Sequence, residues 1–176
     1  VHFVGGVGIV ADEVHGLRPT PEADGYLPIF SKAQTTEKII AITVDDCNQT
    51  ENLRQIVQCA IDNGGKLTIL PIGQNLERES LKEVIRYAYE NGMELENHTY
   101  THPAFYRMST EDMAREIYMN NRIVSETLGV NYQMHFMRTR GGDNRHDLRT
   151  HQYIEKMGYY GMAHWTLSGS SSSVDE

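Results

Sequence analysis

Two short segments, each following an apolar run, hold the residue types from which a hydrolytic metal site is made. TVDDC occupies residues 43–47 and NHTYTHP residues 97–103. Together they offer one carboxylate and two imidazoles to a metal ion, with a second carboxylate left to move a proton. Asp45, Asp46, His98, His102 and Arg138 all fall where a strand is predicted to end. In parallel α/β folds the loops after the carboxyl ends of strands gather on one side, so residues far apart in sequence converge there.

Plainer readings compete with each of these. Asp45 and Asp46 could cap a helix, but Asn48 with Glu51 three residues on already supplies a capping pair, as Thr50 could alone. Adjacent carboxylates repel, and a bound cation relieves that repulsion. Among eight histidines one such spacing arises by chance, and Pro103 excludes a simple helical pair. Context tips the balance, because a histidine-bearing loop and an acidic loop follow two strands of the same predicted sheet. His2, His15, His135, His146, His151 and His164 have no comparable partner and are read as surface or satisfied residues, with His146 and His151 facing solvent. Cys47 and Cys59 are too few for a disulfide scaffold and are taken as incidental thiols.

The elements that must position these groups alternate along the chain. KIIAITV at residues 38–44 is continuously apolar and β-branched, which predicts a strand buried on both faces of a parallel sheet. Leu53, Ile56, Val57, Ala60 and Ile61 recur at helical spacing up to Asn63-Gly64-Gly65, and KLTILPI is the next strand. Leu81, Val84, Ile85 and Ala88 mark a second helix, MELEN a third strand, and Ser109 caps a long helix that Gly129 ends, with Asp112 in the reciprocal place. QMHFMR, a helix near residues 147–157 and YYGMAHWTL bring the count to five strands, a βαβ pattern. Residues 1–35 read as an irregular arm, 36–168 as the domain and 169–176 as a Ser-rich flexible tail.

Charge narrows the partners. With 16 Lys+Arg against 24 Asp+Glu, a formal charge of −8 and no long basic run, nucleic acid is not expected as a partner. No apolar stretch approaches the roughly 20 residues that span a bilayer, and the first residues lack the basic flank of a signal peptide. The chain starts at Val1, consistent with a processed or trimmed product.

The chain resembles the polysaccharide deacetylases of carbohydrate esterase family four. Their first motif reads TFDDG where TVDDC stands, and their second reads H, Ser or Thr, two residues, H where HTYTH stands; order and spacing match over residues 38–167. Their third motif, FRPPGG or FRPPYG, appears as Met137-Arg138-Thr139-Arg140-Gly141-Gly142. The resemblance implies an α/β fold, a distorted (β/α) barrel of this type, incomplete at the C-terminus. It implies that Asp46, His98 and His102 hold one divalent metal, zinc foremost, with cobalt, nickel or manganese as substitutes. It also implies that Asp45 is the general base, oriented by Arg138. Arg140, Gly141 and Trp165 fall where substrate binds. The implied substrate is an acetylated glycan, chitin-, peptidoglycan- or xylan-like, and the implied location extracellular or in the cell envelope.

Four departures qualify this. Thr139 and Arg140 replace two prolines, so the loop is expected to be less rigid and carries an extra cation. Glu96 stands where the family has a small residue, on the same strand face as Glu94 and His98, where it would crowd the metal or add a ligand. Ser168 replaces a common acidic residue after Trp165, which leaves a core role for that tryptophan as good as a substrate-lining one. No histidine follows Trp165 to match the family's late Leu-x-His, whose histidine acts as general acid, so turnover is expected to be slow. Five strands cannot close a barrel, and the open edge is expected to be covered by the arm, by a second copy in a homodimer, or by chain beyond Glu176. The rival readings are a catalytically impaired protein of this fold that binds metal or glycan, and an amidohydrolase of a small non-sugar amide.

Overall fold

The structure is a computed structural model that describes residues 24–32, 36–143 and 147–168. His2, His15, His146, the tail and most of the arm lie outside the described residues. The strands are β1 (Ile29–Phe30), β2 (Thr43–Asp46), β3 (Thr68–Pro71), β4 (Glu94–Leu95), β5 (Phe136–Met137) and β6 (Gly161–Ala163). The helices are α1 (Thr50–Asp62), α2 (Glu79–Glu90), α3 (Thr110–Leu128) and α4 (Leu148–Lys156). β2, β3 and β4 pair in parallel, as do β5, β6 and β1. A single bridge, Asn97 to Met137, joins the two sets. The result is one curved parallel arc in the order β2-β3-β4-β5-β6-β1, a partial barrel with two free edges among the described residues.

Apolar faces dock the helices onto this arc. In α2, Leu81, Val84, Ile85 and Ala88 are fully buried, as their spacing requires. Ser109 caps α3 through a 3.1 Å bond from the Asp112 amide, and Gly129 ends it in the left-handed region at φ 69°. No helix among the described residues is long and apolar enough to cross a membrane.

Four expectations need correction. The first strand begins only at Thr43, and Ile40 and Ile42 ahead of it are 66 % and 38 % exposed. Among the described residues β2 has a partner on one side only, so the apolar run leading into it lacks there the second neighbour that a strand buried on both faces needs. The arm is not wholly irregular, since Ile29 and Phe30 pair with Met162 and Ala163 and give the arc a sixth strand. That close approach demands glycine at 161, where a Cβ would lie 2.2 Å from the Pro28 carbonyl oxygen. His151 is fully buried rather than facing solvent; its Nδ1 accepts the Leu27 amide at 3.1 Å and its ring meets Tyr26 edge-on. Asn48 does not cap α1, whose N-cap is Gln49 without a side-chain bond. Instead its Oδ1 takes Asn75 Nδ2 at 2.8 Å.

Candidate active site

Asp45 and Asp46 end β2, and the chain turns sharply after them. Asp46, Cys47, Thr99 and His102 are the non-glycine residues at positive φ among those described, at 63°, 57°, 66° and 60°. Each such residue costs about 1 kcal/mol or more, so the surroundings must hold it. The Asp46 carbonyl accepts Asn75 Nδ2 at 2.9 Å, and Arg78 donates to the carbonyls of Cys47 and Asn48 at 3.1 and 2.9 Å. The Cys47 thiol is buried, and that burial, with Asp45 and Asp46 adding to it, pushes its pKa up, so it stays a neutral packing group.

The HTYTH loop is held from α3. Glu116 accepts the amides of Tyr100 and Thr101 at 2.9 and 2.7 Å and the Thr101 hydroxyl at 2.7 Å. Buried Asn120 donates to the Thr99 carbonyl at 2.6 Å and to Pro71 at 2.9 Å. Asn97 Oδ1 takes the Thr99 amide at 2.9 Å while its Nδ2 reaches the Ile117 carbonyl and the Tyr159 hydroxyl. Sequence reasoning missed Glu116 and Asn120; their spacing of four residues places them on one helix face, the one available signal.

These two loops bring Asp46, His98 and His102 together, with ligand-type atoms all within 4.8 Å of one another. His98 Nε2 lies 3.2 Å and His102 Nε2 3.6 Å from Asp46 Oδ1. His98 Nδ1 sits 2.7 Å from the Arg138 carbonyl, which only accepts, so the neutral ring carries its proton there and presents the Nε2 lone pair. Asp46 Oδ1 and His102 Nε2 are buried with no hydrogen-bond partner. Contact with His98, then the charges of both imidazoles, hold the Asp46 carboxyl below its usual value against burial. Burial, then His98, and also Arg140, lower His102, which Asp46 partly opposes. Converging lone pairs that lack donors suit a cation, and the donor set, two imidazoles and a carboxylate, suits a divalent ion that keeps open positions.

Asp45 lies outside that cluster. Arg138, 2 % exposed, places Nη1 2.5 Å from Asp45 Oδ1 and 2.8 Å from the Thr43 hydroxyl. Its Nε and Nη2 reach the carbonyls of Ala163 and His164 at 3.3 and 3.2 Å. The buried guanidinium is thereby satisfied on both sides and crosses from β5 to both β2 and the end of β6.

The third-motif loop is not loose. The Thr139 and Arg140 carbonyls accept the Gly142 and Asp143 amides at 2.9 Å each, and the buried Thr139 hydroxyl donates to the Asp143 carbonyl. Hydrogen bonds replace the restraint that prolines supply. Arg140 and Gly141 are exposed on this loop. Trp165 is half-buried, stacked on His164 at 4.3 Å with Arg138 Cζ 5.3 Å from its ring. Gly142, not Gly141, touches this stack; a Cβ there would meet His164 Nε2 at 2.9 Å.

Glu96 is absent from the metal cluster. It is 2 % exposed and accepts the amides of His135 and Phe136 at 2.8 Å each, with His135 Nδ1 4.0 Å away. Those two donors at the start of β5 draw it from the site, and burial, opposed by the same bonds, pushes its pKa well above the usual carboxylate value.

Several solved structures share this architecture. The family-four pseudoenzyme BA3943 from Bacillus anthracis is 17 % identical with a TM-score of 0.69, over 79 % of this chain and 47 % of that one. The peptidoglycan deacetylase PdaC from Bacillus subtilis is 23 % identical, TM-score 0.63, over 74 % of this chain and 60 % of that one. For the peptidoglycan N-acetylglucosamine deacetylase Bc1960 the values are 20 %, 0.69, 82 % and 65 %. The chain thus spans from about half to just under two thirds of the solved chains it matches. These likenesses carry the fold; the sequence itself matches the polysaccharide deacetylase family over residues 32–162, and with the motifs it brings together the chain belongs to that family.

Proposed function

We propose that this chain is a metal-dependent hydrolase that removes acetyl groups from an N- or O-acetylated polysaccharide outside the cell or in its envelope. The observation that carries the reading is the unpartnered pair Asp46 Oδ1 and His102 Nε2 facing His98, beside an aspartate clamped by a buried arginine. Asp46, His98 and His102 would hold the ion, zinc by the donor set; when bound it would polarise the acetyl carbonyl and acidify a water. Asp45 takes the proton as the water oxygen bonds to the acetyl carbon. Arg138 keeps Asp45 aimed, and its carbonyl keeps His98 in the ligating tautomer. As the carbon–nitrogen or carbon–oxygen bond breaks, the leaving group must gain a proton, which protonated Asp45 can return.

Asp45→Asn should keep stoichiometric zinc and lose acetate release from chitin oligomers, peptidoglycan or acetylxylan. Asp46→Asn, His98→Ala and His102→Ala should each lose zinc by elemental analysis. Zinc retained by both histidine variants would sink the site assignment. A second reading, an impaired protein that still binds metal or glycan, is supported by Thr139 and Arg140 in place of the family's prolines. BA3943, a pseudoenzyme for which a mutant has restored enzymatic activity, illustrates such a state in the same fold. Stoichiometric zinc without acetate release from any of these polymers would favour it.

A further inference from the structure

We propose that Arg140 sorts substrates by charge, favouring an acetylated glycan that bears a carboxylate close to the acetyl group. This rests on the glycan reading above and deepens it. Arg140 stands on the rim of the site, two residues beyond the carbonyl that touches His98 Nδ1 and two before the glycine packed on His164 and Trp165. Its loop is fixed by the Gly142 to Thr139 and Asp143 to Arg140 backbone bonds, so the root of the side chain is held while the guanidinium is exposed.

No carboxylate takes that charge. Among the described residues, Arg54, Arg86, Arg122, Arg138 and Arg149 each have an Asp or Glu partner, whereas Arg78, Arg107, Arg115 and Arg140 have none; Arg78 is held by backbone carbonyls, Arg107 lies over the Tyr106 ring and Arg115 stands on α3, which leaves Arg140 as the unpaired guanidinium on the third-motif loop. In a chain with 24 Asp+Glu against 16 Lys+Arg, a cation left unpaired at the mouth of a site calls for a partner from outside. Two residues from the carbonyl that touches His98, its positive charge would also repel a divalent ion held by the site. An anionic ligand reverses that sign, and the planar fork of guanidinium donors matches a carboxylate.

The test compares three oligosaccharides on the full zinc-loaded chain by calorimetry, with zinc content checked in every sample. The neutral probe is an N-acetylglucosamine tetramer. The acidic probes are a tetramer alternating N-acetylglucosamine with N-acetylmuramic acid and one alternating it with glucuronic acid, which distinguish a lactyl from a uronate carboxylate. The wild type should bind one acidic probe about tenfold tighter than the neutral one, and added salt should shrink that ratio. In Arg140→Gln the ratio should fall to near one, with Arg140→Lys between. A wild-type ratio of one overturns the proposal but leaves the glycan reading standing, as does an Arg140→Gln variant that weakens all three probes equally. That last result would assign the guanidinium to the acetyl group itself. Failure of all three to bind removes the glycan reading and this proposal with it.

Discussion

Glu116 supplies no candidate ligand, yet three hydrogen bonds accepted by its carboxylate set the peptide between the two imidazoles. Removing it should loosen His102 without touching a ligand. Glu116→Ala is expected to weaken zinc binding by about 10- to 100-fold, the usual cost of losing an outer-shell partner. Glu116→Gln, which keeps one acceptor, should recover part of that loss. The d–d spectrum of the cobalt-loaded variant should also shift; an unchanged spectrum and affinity would reduce Glu116 to a structural role. Protons compete for the same lone pairs. His102 and Asp46 sit below their ordinary values of 6.5 and 3.8, so folding favours their unprotonated forms. That contribution is present above about pH 6.5 and is lost as pH falls through the folded values. Melting of the metal-free chain should therefore drop across this range, and His102→Gln should flatten its upper part; an unchanged profile would remove His102 as the cause. The residues that cluster in the candidate site could be picked out in the sequence because acids and histidines at strand ends are a local signal. Glu116 could not, since what it does depends on which loop α3 happens to face.

At the level of elements, the join between β4 and β5 is thin. One backbone bridge connects them, and Glu96 reinforces it by accepting two amides at the start of β5. Glu96→Ala would take the acceptor from the buried Phe136 amide and from the half-buried His135 amide, the buried one at roughly 1–3 kcal/mol, whereas Glu96→Gln keeps an acceptor and should cost far less. Because burial raises the Glu96 pKa, its contribution is full below the ordinary value of 4.5 and is lost as pH rises toward the folded value. Denaturant melts of the two variants across pH would check both points. A Glu96→Ala protein as stable as wild type would show that β5 needs no such support. Sequence periodicity found the order of helices and strands, and the cap at Ser109, because each depends on neighbours along the chain. It misplaced Glu96, Asn48 and β1, whose partners come from 39, 27 and more than 130 residues away. It also read residues 38–42 as buried, since an apolar run carries no mark of whether a second strand lies beside it.

At the scale of the whole arc, the described residues leave free edges at β2 and β1, and Ile40 and Ile42 stand exposed at the approach to β2. Unpaired strand edges flanked by apolar side chains favour pairing between copies. Sedimentation should show concentration-dependent association, and Ile40→Lys with Ile42→Lys should shift it toward monomer; a wild type that stays monomeric at all concentrations would refute this. Arg138 gives the arc a further property. Its carbonyl touches His98, its guanidinium touches Asp45, and the same guanidinium is seated on carbonyls at the end of β6. The proposed ligand and the proposed base thus turn on one bearing, and that bearing is fastened to β6, the strand next to the arc's β1 edge. On the proposed function, widening the arc would withdraw the charge from Asp45 before it parts Asp46 from His102, so such a protein would hold its metal and fall silent. Acetate release at full zinc loading then becomes a gauge of how tightly the arc is drawn.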